Sequence, residues 1–339
     1  MTIKGVSIEE ARKIVSAVHR NGTLPGVVRH VRRASLEAVR AAGCVPALEV
    51  RAVQHSRIDP FVKYALAAPD GQVIETVRIP LEHGGRHSVC LSSQVGCGLA
   101  CAFCATGRMG LRRNLKTWEI VEQVRIVRRG LDRARGQRVH GAVFQGMGEP
   151  LANADSVIEA IQVLTEPSAL AIDGRNITVC TAGIPAGIRR LAQEVPKVRL
   201  GISIVSTRRE VRLKLMPVSH AHPLHDVLDA AAEHARITAL SPMWAVTLLD
   251  GVNDSEEDAR QLAHLAQDFT LKTGLRPRIS IIPYNSTGTQ DSFGRTTAER
   301  ETEYRRVLRN AGVASHKRYS GGGDVFAACG QLTALSESN

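Results

Sequence analysis

With 339 residues and 43% hydrophobic content, the chain can bury a full α/β core. Its 44 Lys and Arg against 33 Asp and Glu leave a formal charge of +11, an excess that favours a polyanionic partner, nucleic acid first. No apolar run approaches the roughly 18 residues of a bilayer span and no charged-then-apolar leader opens the chain, so a soluble cytoplasmic protein is expected.

In chain order, residues 7–43 read as two short helices. Ser7 stands three residues before a Glu, as in a capping box, and Gly22 and Pro25 separate a second, basic helix. Residues 61–67 and 72–79 alternate as strands about Pro69-Asp70-Gly71, a hairpin turn sequence. From about residue 87, short apolar strands at 88–92, 139–144, 176–180, 199–205, 243–249 and 278–283 alternate with helices near 117–131, 154–165, 186–193, 223–236, 254–269 and 297–311. Repeated βα units imply an α/β fold with a parallel sheet and right-handed crossovers, curling toward a barrel. Ser336 to Asn339 read as a frayed polar tail. Basic residues gather at Arg29 to Arg33, from Arg125 to Arg138, and at Arg305, Arg306 and Arg309; each group alone equally suits a solvated helix face. No exposed apolar helix stripe stands out, so a monomer is expected.

The cysteines are seven, Cys44, Cys90, Cys97, Cys101, Cys104, Cys180 and Cys329, an odd number that suits a reducing compartment better than a disulfide framework. Cys97, Cys101 and Cys104 form a C-x₃-C-x₂-C loop directly after an apolar run. A [4Fe–4S] cluster takes one thiolate per iron, so three cysteines hold it and leave one iron open. S-adenosylmethionine (SAM) can chelate there through its amino and carboxylate groups. A structural zinc site would want a fourth ligand, yet His87 lies ten residues before Cys97 and the next Cys or His after Cys104 is His140. Ligands of parallel α/β sheets bind at the carboxyl ends of strands. The cysteine loop, Gly146-Met147-Gly148-Glu149-Pro150, Thr181-Ala182-Gly183, Ser203 and Asn285 all fall there.

Three segments, Ser92-Ser93-Gln94-Val95-Gly96-Cys97 through Cys104, Gly146 to Leu151, and Ala327-Ala328-Cys329-Gly330-Gln331-Leu332, together resemble the radical-SAM RNA adenine methyltransferases of the RlmN/Cfr family. The resemblance spans most of the chain. It implies a partial (β/α)6 radical-SAM barrel over residues 81–335, ending in a methyl-cysteine loop, behind a small N-terminal RNA-recognition-like domain of helices and a β-hairpin over 1–80. It also implies methylation of adenine at ring carbon C2 or C8, with 23S ribosomal RNA the first candidate and transfer RNA the second, and an electron donor such as flavodoxin or ferredoxin. An amidine carbon lacks a nucleophilic lone pair, so a radical route is required. In the family one SAM methylates a cysteine, a radical from a second SAM takes hydrogen from that methyl, and the methylene radical adds to adenine. A base then removes the ring proton, and a second cysteine frees the product by forming a disulfide.

By match to the family motifs, Cys329 is the methylated cysteine, Cys90 the resolving thiol and Glu75 the proton acceptor. Gly148, Glu149, Cys180, Ser203, Ile204, Val205 and Asn285 occupy SAM-contacting positions, with Cys97, Cys101 and Cys104 on the cluster. Read alone, Cys329 and Cys90 would be small buried residues and Glu75 an exposed strand carboxylate. The chain also departs from the family. Val205 replaces a histidine, Cys180 a serine, and Gly321-Gly322-Gly323-Asp324 an Arg-Gly-Asp-Asp-like approach whose glycines would admit a bulky substrate. Two rivals stand beside this reading: a radical-SAM methyltransferase of a small molecule or peptide, and a non-catalytic zinc-containing RNA-binding module.

Overall fold

The computed structural model describes residues 3–82, 84–288 and 292–333; the expected tail at Ser336–Asn339 lies outside them. Helix α1 (Ile8–Asn21) opens with the expected capping box, in which Ser7 Oγ accepts from the Glu10 amide and Glu10 accepts from the Ser7 amide, both at 3.2 Å. It stops at Gly22, whose φ of +84° suits a left-handed cap. Helix α2 (Arg33–Ala42) packs on it through a small cluster of Ile14, Ala17, Val28 and Leu36.

Three antiparallel strands follow: β1 (Glu49–His55), which the sequence reading missed, then the expected hairpin of β2 (Val62–Ala67) and β3 (Val73–Pro80). The hairpin turns at Gly71, with φ +80°. Strand β4 (Arg86–Leu91) pairs antiparallel with β3, Val77 opposite Cys90, so the hairpin continues the sheet that carries the later strands.

After β4, a small ribbon of β5 (Gln94–Gly96) and β6 (Leu111–Asn114) brackets the cysteine loop and its one-turn helix α3 (Ala105–Arg108). The repeat then begins with α4 (Thr117–Arg129), β7 (Arg138–Phe144) and α5 (Ala154–Thr165). It continues through β8 (Ile177–Thr181), α6 (Pro185–Glu194), β9 (Arg199–Ser203), a short α7 (Arg209–Leu215) and α8 (Leu224–Thr238). Strand β10 (Met243–Leu248), α9 (Glu256–Thr273), β11 (Arg278–Pro283), α10 (Ala298–Asn310) and β12 (Ser315–Lys317) complete it. One sheet runs β1-β2-β3-β4-β7-β8-β9-β10-β11-β12, parallel from β4 onward. This is the expected partial barrel with one further parallel strand, β12, whose three polar residues carry no apolar pattern to be read.

Register sorts the two faces, because alternate residues of a strand point to opposite sides. Leu91, Phe144, Val179 and Leu200 lie in one row, and Ile202, Trp244 and Ile279 continue the same face two residues further along, all buried under the helices. The opposite row runs through Cys90, Val143, Thr178 and Cys180 to Gly201, Ser203, Ala245 and Ser280. That second face is small and polar because it lines a space instead of filling one.

Gly96 is the tightest point of the ribbon. Its φ is +73°, and a Cβ there would lie 1.9 Å from the Gly110 carbonyl oxygen. Gly96→Ala is expected to cost at least the ~1–3 kcal/mol of a strained backbone conformation. A lowered urea midpoint checks this; an unchanged midpoint would mean that the ribbon opens freely.

Candidate active site

Two loops are fastened together beneath the site. Ser93 N donates to Met147 O (2.8 Å) and Met147 N donates to Ser92 Oγ (2.9 Å), joining the segment after β4 to the segment after β7. Gln123 of α4 exchanges hydrogen bonds with both backbone groups of Ser92 (2.8 and 3.0 Å). Asn153 donates to Ser93 O and Leu115 O, both at 2.8 Å. Gln94 Oε1 accepts from Glu149 N (2.8 Å). Ser92, Ser93, Gln94, Gln123 and Asn153 are all buried, so these bonds are made without competition from water. Their partners lie up to 60 residues away in sequence, which is why they escaped the sequence reading.

On this base the expected residues converge. Cys97, Cys101, Cys104, Gly148, Glu149, Cys180, Ser203, Val205, Asn285 and Cys329 all line one cavity of about 150 Å³ at the carboxyl end of the barrel strands. The cysteine loop is held by Cys97 N to Gly110 O (3.0 Å), Cys104 N to Cys101 O (3.1 Å) and Ala102 N to Leu215 O (3.0 Å). Gly107 lets α3 approach closely, since a Cβ there would lie 2.9 Å from Cys101 N. Burial pushes the Cys97 thiol up to about 11 and raises Cys101 and Cys104 as well. For Cys101 the neighbouring charges are the other two thiols and Glu149, with Arg212 opposing them. Three half-buried thiols gathered beside a carboxylate ionise more readily when a positively charged group joins them, which is what iron supplies. The donor set therefore fits an iron–sulfur cluster. Among the described residues, no group of three or more Cys, His, Asp and Glu could hold a single metal ion.

Glu149 is buried, and burial raises its pKa. Its Oε1 accepts from Leu151 N (3.0 Å) and its Oε2 from Ala182 N (2.8 Å), so the carboxylate joins the loops after β7 and β8 and retains acceptor capacity toward the cavity. Gly148 lines the cavity, but its missing Cβ has another cause: the atom would sit 2.5 Å from Gln94 Cβ. Ser203 and Val205 reach the cavity wall, whereas Ile204 is fully buried in the core and does not line the cavity.

Val205 holds φ at +57°, a conformation rare for a β-branched residue. Two unforeseen residues hold it there. Asn253 Nδ2 donates to Val205 O (2.7 Å). Arg212, buried in the interior, donates to Ser203 O (2.8 Å), Ala182 O (3.0 Å) and, closer still, Ile204 O. Burial pulls its guanidinium down to about 10.

Cys329 occupies the wall between this cavity and a smaller one of about 60 Å³ that holds Cys90, Phe61, Arg318 and Ala328; Gln145 also lines both. Asn285 Nδ2 donates to Cys329 O (3.1 Å) and to Ser320 Oγ (2.8 Å), so it fixes the cysteine segment as well as lining the cavity. Ala105 N to Gly330 O (2.8 Å) and Thr106 Oγ1 to Leu332 O (2.6 Å) tie that segment to the cysteine loop. All seven cysteines are free thiols.

Three expectations need correction. Glu75 is no exposed carboxylate: it is 0% accessible, lies 3.0 Å from the equally buried Lys63 Nζ, and accepts from Thr333 N (3.0 Å). It faces neither cavity wall. Two of the glycines before Cys329 serve the chain itself, for a Cβ on Gly321 would lie 2.4 Å from the Phe61 ring and one on Gly322 2.7 Å from Ala327 Cβ. Asp59 accepts from Gly322 N (2.8 Å) and Asp324 from Ser56 Oγ (2.7 Å), so the β1–β2 turn grips this loop. The basic run at Arg125 is partly internal, since Arg125 is buried against Glu122 and donates to Gly22 O (2.7 Å), docking α1 on α4.

Comparison with known proteins decides the affiliation. The radical SAM superfamily matches residues 91–265. The chain belongs to that superfamily. The family implies a [4Fe–4S] cluster and SAM. The chain is 57% identical to a probable RNA methyltransferase of Sorangium cellulosum, across 97% of this chain and 88% of the relative. It is 40% identical to the dual-specificity RNA methyltransferase RlmN of Syntrophobacter fumaroxidans, across 81% and 77%. A crystal structure of a radical SAM methyltransferase from Sphaerobacter thermophilus superimposes with a TM-score of 0.88 at 32% identity, covering 98% of this chain and 94% of the other. As a radical SAM methyltransferase, the chain combines the superfamily's barrel with a cysteine segment laid across its mouth.

Arg212→Lys keeps the charge but cannot fork to three carbonyls. It is expected to lower stability by about 2–4 kcal/mol, the scale of lost charge-assisted bonds, and to lower iron content after anaerobic reconstitution. Thermal melts and iron assay read both. Full iron loading with an unchanged melt would show that Asn253 alone holds the turn.

Proposed function

We propose that this enzyme methylates an adenine ring carbon of RNA, C2 or C8, through an S-methyl group on Cys329. The observation that carries the reading is the position of Cys329 on a wall shared by two cavities, one holding the cysteine triad with Gly148 and Glu149, the other holding Cys90. Cys97, Cys101 and Cys104 would hold the cluster through three thiolates, with SAM against Glu149, Ser203 and Asn285. Together these supply, when bound, a carbon radical able to take a hydrogen atom from a methyl group.

The chain's own residues do the rest. Asn285 and Ser320 orient the Cys329 segment, so that its sulfur offers the methyl toward the cofactor cavity. Once the adduct has given up its unpaired electron to the electron-supply side and its ring proton to a base, Cys329 carries the substrate as a thioether; Cys90 then attacks the Cys329 sulfur from the smaller cavity, forming a disulfide, and the departing carbon leaves with the electron pair and takes up a proton to become the methyl group. Burial raises the Cys90 thiol well above its ordinary value, with neighbouring Arg318 opposing that rise. Glu75 takes the ring proton once the backbone at Thr333 is displaced from its carboxylate.

The small unit of α1 and α2, with its own apolar cluster and the exposed Arg29, Arg32 and Arg33, supports a recognition role for residues 1–80 ahead of the barrel at 81–335. Exposed Arg133, Arg138 and Arg309 extend the basic surface. The names of the relatives favour RNA as substrate; within RNA, 23S ribosomal RNA is the first candidate we propose and transfer RNA the second. A flavodoxin or ferredoxin suits the electron supply, and a cytoplasmic monomer suits the enzyme. Among the described residues, no helix is long and apolar enough to cross a membrane.

The test is anaerobic turnover of reconstituted enzyme with methyl-deuterated SAM and unmodified RNA, read by nucleoside mass spectrometry. A methyladenosine retaining two deuterons from the transferred methyl is expected, and its chromatographic position assigns C2 or C8. Deoxyadenosine without labelled RNA would move the substrate to a small molecule or peptide. Cys329→Ala is expected to abolish transfer, whereas Cys90→Ala accumulates a covalent enzyme–RNA adduct visible by gel shift; normal turnover by Cys90→Ala would sink the resolution step. RNA affinity should fall steeply with salt, by about tenfold or more between 50 and 200 mM for several phosphate contacts.

A further inference from the structure

Three thiols line two adjoining cavities. Cys90 on β4 and Cys180 on β8 share the inner face of the sheet, two strands apart, since Cys90 lies opposite Val143, Val143 opposite Thr178, and Cys180 is the next inward residue of β8. Cys329 lies between them. It lines the larger cavity together with Cys180 and the smaller one together with Cys90. Room for the Cys180 sulfur comes from Gly201, directly opposite on β9, where a Cβ would approach Sγ to 2.8 Å. Arg318 lines the smaller cavity beside Cys90 and Cys329, and its charge reaches Cys180 as well. Nothing in the proposed reaction uses Cys180 as a thiol, and a weak hydrogen-bond donor is a poor choice for a purely cofactor-binding position.

We propose that Cys180 is a second disulfide partner of Cys329, in competition with Cys90. This rests on the methyl-cysteine reading for its place in the cycle, though not for the pairing itself. Starting from a Cys90–Cys329 disulfide, the Cys180 thiolate attacks the Cys329 sulfur. A Cys180–Cys329 bond forms, the Cys90–Cys329 bond breaks, and Cys90 leaves as a thiolate that takes up the proton Cys180 gave away. No oxidant or reductant is consumed. The exchange parks Cys329 on the cofactor side of the wall and returns Cys90 to its reduced state.

The experiment treats the full chain, reconstituted anaerobically with its cluster, with diamide as the thiol oxidant. Alkylation with N-ethylmaleimide and non-reducing peptide mapping follow. In Cys90→Ala, a peptide linking Cys180 to Cys329 is expected, with Cys329 lost from the alkylated pool. In Cys90→Ala/Cys180→Ser, a near-isosteric change, Cys329 should return to full alkylation with an unchanged thermal melt. Cys329 remaining fully alkylated in Cys90→Ala, or linked only to a cluster cysteine, overturns the proposal. The two readings fail separately. A Cys180–Cys329 link in a protein that methylates no RNA would remove the methylation reading and keep the pairing, whereas labelled RNA without the link would do the reverse.

Discussion

The site depends on the buried polar fastening between the segments after β4 and β7. Ser92, Ser93 and Gln94 carry on into the cysteine loop, while Met147 to Asn153 carry Glu149, so the cluster side and the cofactor side of the cavity share one set of hydrogen bonds. Each such bond contributes only about 0.5–1.5 kcal/mol net, but leaving one buried partner unpaired costs more than the bond is worth. That asymmetry makes the arrangement close to all-or-none. Gln123 shows the consequence, because an amide on α4 that satisfies both backbone groups of Ser92 fixes the helix to the strand end it covers. The barrel therefore does more than place strand ends side by side.

The cysteine segment around Cys329 is fastened to three different parts of the fold. Asn285 holds it from the end of β11, Ala105 and Thr106 hold it from the cysteine loop, and Asp59 with Ser56 holds its approach from the β1–β2 turn. Each attachment belongs to a distinct functional element: cofactor wall, cluster loop and N-terminal meander. Cys329 lines both cavities, and these attachments fix its backbone on the wall between them. Gln145 lines the same two cavities.

Much of this was legible in the sequence for a simple reason. Strands such as 278–283 and helices such as 154–165 show one apolar face at the right period, and a sheet covered on one side and hollow on the other writes that alternation plainly. The cysteine triad and the Gly148-Glu149 turn, which line one cavity, could be picked out beforehand because each is contiguous in sequence. What stayed hidden shares a physical feature: contact at a distance. Arg212 looks like a solvated helix residue until its guanidinium is found among the carbonyls of Ala182, Ser203 and Ile204. Glu75 reads as exposed because Lys63, its partner, lies on the neighbouring strand, where no linear pattern pairs them. Strands β5 and β12, with three residues each, are too short to show a period at all.

The departures from the family pattern are then better understood as matched sets than as losses. Gly321 stands where the Phe61 ring fills the space a side chain would need, and Gly322 brings its amide to Asp59; the glycines and the β1–β2 turn therefore have to change together. Val205 adopts a left-handed conformation that costs on the order of 1–3 kcal/mol, which Asn253 and Arg212 offset by binding the carbonyls on either side of its peptide group. Cys180 keeps its sulfur because Gly201 makes room for it. In each case the unusual residue and its accommodation lie on different elements of the fold. Replacing the unusual residue alone with the family's choice would leave the accommodation in place, and a bulkier side chain at 321 would meet Phe61 before it reached any substrate.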